Sequence, residues 1–268
     1  MDVVNKLFVC LFLLVFSCDK GNLTVIADLP TSLKEISAIE ISSTSDLFWV
    51  IEDARNDTKL YGLNLNGKID IALEVINAQN IDWEDLTSDA EGNIYIGDFG
   101  NNNKDRSEFT IYKIEHPELA LKTIKAESIT FSLPKNSKKQ NFEAFFLLNN
   151  IFYIFSKDNK HGKLFKVPNS IGVHQATFIT NFNLKGKNNS ITSADVYNNS
   201  IILLNHDKVW QISNFKDDNF FNGDIVALEF NHISQKEGIC FKDENTLYIT
   251  DEKGHGEGGN LYEFNISF

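Results

Sequence analysis

Three glutamates open apolar runs in the same way along this sequence: Glu84 in "DWEDLTS", Glu143 in "NFEAFFL" and Glu237 in "QKEGICF". Ser37 in "EISAIEI" and Ser193 in "ITSADVY" hold the comparable place, and Asp195 adds a carboxylate two residues further on. Brought onto one axis, three or four carboxylates in a narrow ring cannot all stay ionised unless a positive charge sits among them. A hard cation taking six to eight oxygen ligands would supply it, and calcium is the ion expected of Ser37, Glu84, Glu143, Ser193 and Glu237. The competing reading is a water-filled tunnel whose acids are solvated or share protons.

A second set of polar residues falls where apolar strands end. Asp53, Arg55, Asp98, Asn101, His206 and Asp251 all occupy such exits, with Lys157 and Glu252 at equivalent positions. Loops carried on a rigid scaffold are a common place for ligand sites. His206 is the general-base candidate near neutral pH, and Arg55 or Lys157 could hold an anionic group. Taken singly, each of these residues is also an ordinary loop or turn former.

Positioning both sets on one molecule requires a repeat, and the sequence has one. Three phrases recur five times after residue 34: the oxygen-led strand start, an apolar strand breaking into Asn, Asp and Gly ("LFWVIEDARND", "IYIGDFGNNN"), and an aliphatic-aromatic strand. The aromatic of the third phrase falls at Tyr61, Tyr112, Phe165, Trp210 and Tyr262, about fifty residues apart. Four-stranded antiparallel units at this period read as the blades of an all-β, five-bladed β-propeller, with a β-sandwich as the alternative. Outer strands are visible in the first four copies, around 69–75, 127–133, 176–182 and 225–230, while the fifth lacks one. The segment "NLTVIAD", residues 22–28, is expected to supply it and close the ring, removing an open strand edge. Helix is expected only as a turn or two in "HPELALKTIK".

In an antiparallel hairpin the start of one strand lies beside the end of the next, so the oxygen-led starts and the polar exits share one face of the propeller. The innermost strands line the tunnel and point the first set at the axis.

The chain of 268 residues, 42% hydrophobic, has ample material for a buried core. Its net charge of -12 repels phosphate backbones, which excludes nucleic acid as an expected partner. Residues 1–17 read as an export signal, with a lone Lys6 ahead of an apolar run too short to span a bilayer. Val15, Phe16, Ser17 and Cys18 resemble a bacterial lipobox, so Cys18 is the expected lipidation site, with ordinary cleavage near Ser17 as the alternative. The expected organisation is a lipidated N-terminus with a ring-closing strand over 18–33 and a propeller over 34–268. The expected location is the bacterial cell envelope, tethered to a membrane, as a monomer. Cys240, in a strand-like context, reads as a small buried residue.

"EISAIEI" followed by "VIEDARNDTKLYGLN" resembles the first blade of calcium-activated nucleotidases of the apyrase type. That resemblance implies a five-bladed propeller with a calcium on its axis, held by Ser and Glu side chains of successive blades. Glu84 and the Glu237-Gly238 pair match the corresponding family positions. Beyond Asp53 and Arg55, no run matches the nucleotide site of that family. "WVIEDARND" with "DWEDLTSDAEGNIYIGDFGNNN" also resembles a group of largely uncharacterised bacterial exported β-propeller lipoproteins, some grouped near esterase-like phytases.

Two functional classes follow. The first is a membrane-tethered module binding a small ligand or partner at the rim, with an axial calcium. The second is a calcium-dependent hydrolase of phosphate or other esters.

Overall fold

The structure is a computed structural model, described here for residues 20–158, 161–184, 190–254 and 258–266. The export segment and Cys18 lie outside these residues. Blade 1 runs from the axis outward as β2 (Ile36–Ile41), β3 (Phe48–Glu52), β4 (Lys59–Leu63) and β5 (Ile69–Val75). Blade 2 is β6 (Trp83–Ser88), β7 (Ile94–Asp98), β8 (Glu108–Ile114) and β10 (Glu127–Ser132). Blade 3 is β11 (Phe142–Leu148), β12 (Ile151–Ser156), β13 (Gly162–Pro168) and β15 (Thr177–Phe182). Blade 4 is β16 (Ser193–Tyr197), β17 (Ser200–Leu204), β18 (Lys208–Ser213) and β19 (Asp224–Glu229). Blade 5 is β20 (Lys236–Asp243), β21 (Thr246–Asp251) and β22 (Asn260–Asn265), completed by β1 (Thr24–Asp28).

The chain is therefore an all-β, five-bladed β-propeller closed by its N-terminal strand. β1 runs antiparallel to β22, with Thr24 opposite Glu263 and Asp28 opposite Asn260. Leu23 and Leu29 flank β1 and are buried, the first against blades 4 and 5 and the second between blades 5 and 1.

Two additions go beyond the expected four strands. β9 (Thr123–Ile124), from the loop between β8 and β10, lies parallel on the outer edge of blade 1. β14 (Gly172–Gln175), from the loop between β13 and β15, lies parallel on the outer edge of blade 2. The helical turn expected in "HPELALKTIK" is one 3-10 turn, Pro117–Leu119.

Each second strand is sandwiched between neighbouring blades and buried, throughout in β3 "FWVIE" and β7 "IYIGD" and after the first residue in β12, β17 and β21, which explains their continuous apolar runs. The core is divided among five clusters, one at each blade junction. Trp49 and Trp83 meet between blades 1 and 2, a phenylalanine group around Phe142 fills the next junction, and Trp210 stands between blades 3 and 4. Cys240 is buried between blades 5 and 1, a free thiol whose ionisation is opposed by burial and by Glu40. Turn chemistry agrees with the hairpins: Asn149 and Asn150, between β11 and β12, both have positive φ, as a two-residue turn of matching twist demands.

Candidate functional site

Neighbouring inner strands β2, β6, β11, β16 and β20 touch one another in a closed ring around the axis. At one end of it, four of them carry a β-bulge at the same place: Ser37, Glu84, Glu143 and Glu237 each interrupt the register with the adjacent strand. A bulge leaves its extra residue out of the ladder and re-aims the side chain. The recurrent oxygen-led phrase is thus the sequence of a recurrent bulge.

Blade 4 corrects the expected register. Ser193 is paired with Leu204, as Ala38 is with Ile51 and Asp85 with Gly97. The residue in Ser37's place is Thr192, and the hydrogen bonds say the same. The Ser37 hydroxyl donates to the Trp83 carbonyl of the next blade at 3.1 Å, and the Thr192 hydroxyl to the Lys236 carbonyl at 2.8 Å. Ser193 lies one level deeper and donates to Asp85 at 2.8 Å.

Glu84 and Glu143 are buried, and burial together with their mutual charge and that of Asp82 holds Glu84 well above the usual carboxylate range. Burial likewise raises Glu143, to about 7, against the opposing charge of Lys157. The Lys157 ammonium lies 2.9 Å from Glu143, and the Asn141 amide donates to the other Glu143 oxygen at 2.8 Å. Burial works against the charge on Lys157, but Glu143, Glu237 and Glu84 outweigh it and keep it protonated beyond its ordinary range. A positive charge therefore does sit among the ring acids, and the chain itself provides it. Among the described residues, no three of His, Cys, Asp and Glu converge closely enough to hold a metal in this arrangement. The oxygens of the ring are of the hard type that calcium prefers, while both ring hydroxyls are turned to backbone carbonyls.

Further acids surround this end. Burial, Glu35 and Asp82 push Asp53 up to about 6, and burial with Glu237 and Asp53 pushes Glu252 up to about 8. His206 Nε2 is 3.1 Å from Glu237. Beside the axis, between blades 1 and 2, a cleft of about 760 Å3 is lined by Asp53, Arg55, Asp82, Gly100, Asn101 and Arg106 among others. Gly100 separates cleft from ring: a β-carbon there would stand 2.1 Å from a Glu84 carboxylate oxygen and 2.3 Å from the Asp82 carboxyl carbon.

The expected rim residues divide into two kinds. Asp53, Arg55 and Asn101 share the cleft, and His206 joins the ring through Glu237. Asp98 and Asp251 are buried in the walls. Asp98 takes the Asp82 amide and the Arg106 guanidinium, both at 3.0 Å. Asp251 takes the Asn260 amide at 2.8 Å and the Tyr262 hydroxyl at 2.7 Å. Asn101 also braces its loop, accepting the amides of Asp105 and Arg106 and donating to Gln140.

Deeper in the tunnel the carboxylates have a structural task that sequence reading missed for Asp85. The inner strands present unpaired backbone amides toward the axis, and buried amides need acceptors. Asp85 accepts those of Phe145 and Ala194 from blades 3 and 4, and Asp195 accepts that of Phe241 from blade 5. The one available signal was Asp85 itself, a carboxylate where the other inner strands have Ala38, Ala144, Ser193 and Gly238.

No family model matches the chain, and no curated protein matches it by sequence. Solved structures match its fold. The glutaminyl cyclase of Myxococcus xanthus is similar with a TM-score of 0.57 at 14% identity, over 90% of this chain and 94% of that one. The PQQ-bound aldose sugar dehydrogenase of Streptomyces coelicolor has a TM-score of 0.56 at 10% identity, over 92% and 99%. A gluconolactonase of Xanthomonas campestris has a TM-score of 0.52 at 8% identity, over 94% and 96%. At such identities the likeness is one of fold, and a propeller fold hosts many chemistries.

Proposed function

We propose that the protein is an exported, lipid-anchored propeller whose acidic mouth binds a small ligand beside the ring of Glu84, Glu143 and Glu237. The observation that carries this reading is the Lys157 ammonium on Glu143: the ring requires a positive charge, and a half-buried loop side chain supplies one that an incoming cation can replace. Calcium is the proposed ion, held by the carboxylates of Glu84, Glu143 and Glu237 in exchange for Lys157. When bound it would polarise an oxygen of the ligand, while Asp53 and Arg55 face that ligand from the cleft. Thermal melts in chelator and in millimolar calcium test this. An ion bound only by the folded ring stabilises it by about 2.7 kcal/mol at a hundredfold excess over its dissociation constant. The increment should shrink in Glu143→Gln, and identical melts with no metal found by elemental analysis would end the calcium reading. The anchor is checked by fractionation: a Cys18→Ala protein that stays with the membrane would remove that part.

A second reading, calcium-dependent hydrolysis of phosphate or other esters, is favoured by the His206–Glu237 pair, a base with a carboxylate to orient it. Turnover of simple ester or phosphate-ester substrates that is lost in His206→Gln supports it. Turnover unaffected by that change sinks it.

A further inference from the structure

The opposite end of the tunnel is built from the last residues of all five inner strands. They enclose a cavity of about 270 Å3 whose lining includes Glu40, Leu147, Asp195, Val196, Tyr197 and Phe241. Two of these are acids almost wholly removed from water, Glu40 at 3% exposure and Asp195 at 8%. Asp195 has both oxygens engaged, by the amides of Val196 at 2.7 Å and Phe241 at 2.8 Å. Glu40 does not. One of its oxygens takes the Ile41 amide at 2.8 Å, while the nearby Ser88 hydroxyl donates to the Ile41 carbonyl instead. Its second oxygen takes no backbone amide and has only the Ser88 hydroxyl beside it, and the side chain lines the cavity.

We infer that this far mouth is a binding site for a small organic ammonium with an apolar stem. Burial and the charge of Asp195 both act against an ionised Glu40, so a cation at this point relieves the strongest electrostatic conflict in the lining. Among the described residues no lysine or arginine is paired with Glu40 as Lys157 is with Glu143 at the other mouth. Lys242, the lysine of the lining, directs its ammonium to Glu263 at 2.8 Å and over the Tyr248 ring. A hard metal ion is a poor occupant, because it needs six to eight oxygens and Asp195 has given its own to backbone amides. The walls suit a carbon-bearing cation. The rings of Tyr197 and Phe241 stand 5.7 Å apart, Tyr197 is 40% exposed, and Leu147 and Val196 add apolar surface. An ammonium can donate to Glu40, lie against an aromatic face and place its stem on these side chains. The cavity is smaller than pockets that take drug-sized ligands, which limits the occupant to a few heavy atoms.

The test is an NMR titration of the full chain with n-butylamine hydrochloride, using n-butanol as the neutral isostere and calcium chloride as the competing cation. Saturable shifts are expected at the Ile41, Val196 and Phe241 amides with the amine, and none with the alcohol. Glu40→Gln should weaken binding at least tenfold. Tyr197→Ala, at an exposed side chain, gives an independent reading if Glu40→Gln does not fold, and should also weaken it severalfold. Glu143→Gln at the other mouth should leave the affinity within twofold. The inference is overturned if amine and alcohol bind alike, if both far-mouth variants bind as wild type, or if calcium displaces the amine at equal concentration.

Discussion

Lys157 decides how the tunnel mouth is charged. Its sequence position marks a strand exit and suggests a hand for anionic ligands, but only the fold shows that its backbone pairs with Asn141, two residues before Glu143, so that its ammonium lands on its own blade. The three ring glutamates were legible because a bulge repeats its residue type from blade to blade. Thr192 was not, since two adjacent hydroxyls in "ITSADVY" are equivalent until Leu204 chooses its partner. Removing the ammonium should leave Glu143 buried without a counter-charge. Lys157→Met is therefore expected to lower stability by about 1–3 kcal/mol at pH 8, and by much less at pH 5, where Glu143 is protonated. Urea unfolding at the two pH values measures both, and an equal loss at each would mean that Lys157 matters through packing alone.

Whole strands were easier to read than single side chains. Five copies of three phrases fixed the blade plan, and the missing fifth outer strand pointed to residues 22–28, which do close the ring as β1. β9 and β14 escaped notice because strands of two and four residues, present on only two blades, leave no period to detect. β1 pairs along β22 with one bulge, and its flanking Leu23 and Leu29 are buried, each worth about 1.5–3 kcal/mol. Deleting residues 19–29 should lower the melting temperature by roughly 10 °C or more and expose β22 as an aggregation edge, seen as light scattering on heating. An unchanged melt would show that the ring holds without its closing strand.

Across the whole molecule the unusual feature is how many carboxyls have raised affinities for protons. Glu143 and Asp195 are raised to about 7, Asp53 to about 6 and Glu252 to about 8, each primarily by burial. A carboxyl whose folded value exceeds its unfolded one binds more protons when folded, so its contribution is complete below the unfolded value near 4 and is lost as pH rises through the folded one. These losses all fall between about pH 4 and 8. Lys236, buried and lowered to about 8, works in the other direction, but only above that value. The protein should therefore melt higher at pH 5 than at pH 8, by about 5 °C or more, with calcium restoring part of the difference at pH 8. A melting temperature that is flat or rises over this range would mean that Lys157 and the tunnel amides already compensate these acids.

The two parallel straps make this ring uneven around its circumference. β9 carries blade 2 onto blade 1, and β14 carries blade 3 onto blade 2, whereas no such strap among the described residues runs from blade 3 to blade 4 or from blade 4 to blade 5. β19, on the outside of blade 4, is also largely exposed. Thermal fluctuations should thus treat blades 1 to 3 as one cooperative block and blade 4 as a hinge, so that its amide protons exchange with solvent through partial openings while those of β4 and β8 wait for global unfolding. A propeller strapped on one arc can breathe on the other, and the tunnel it encloses gains a side along which it can widen without coming apart.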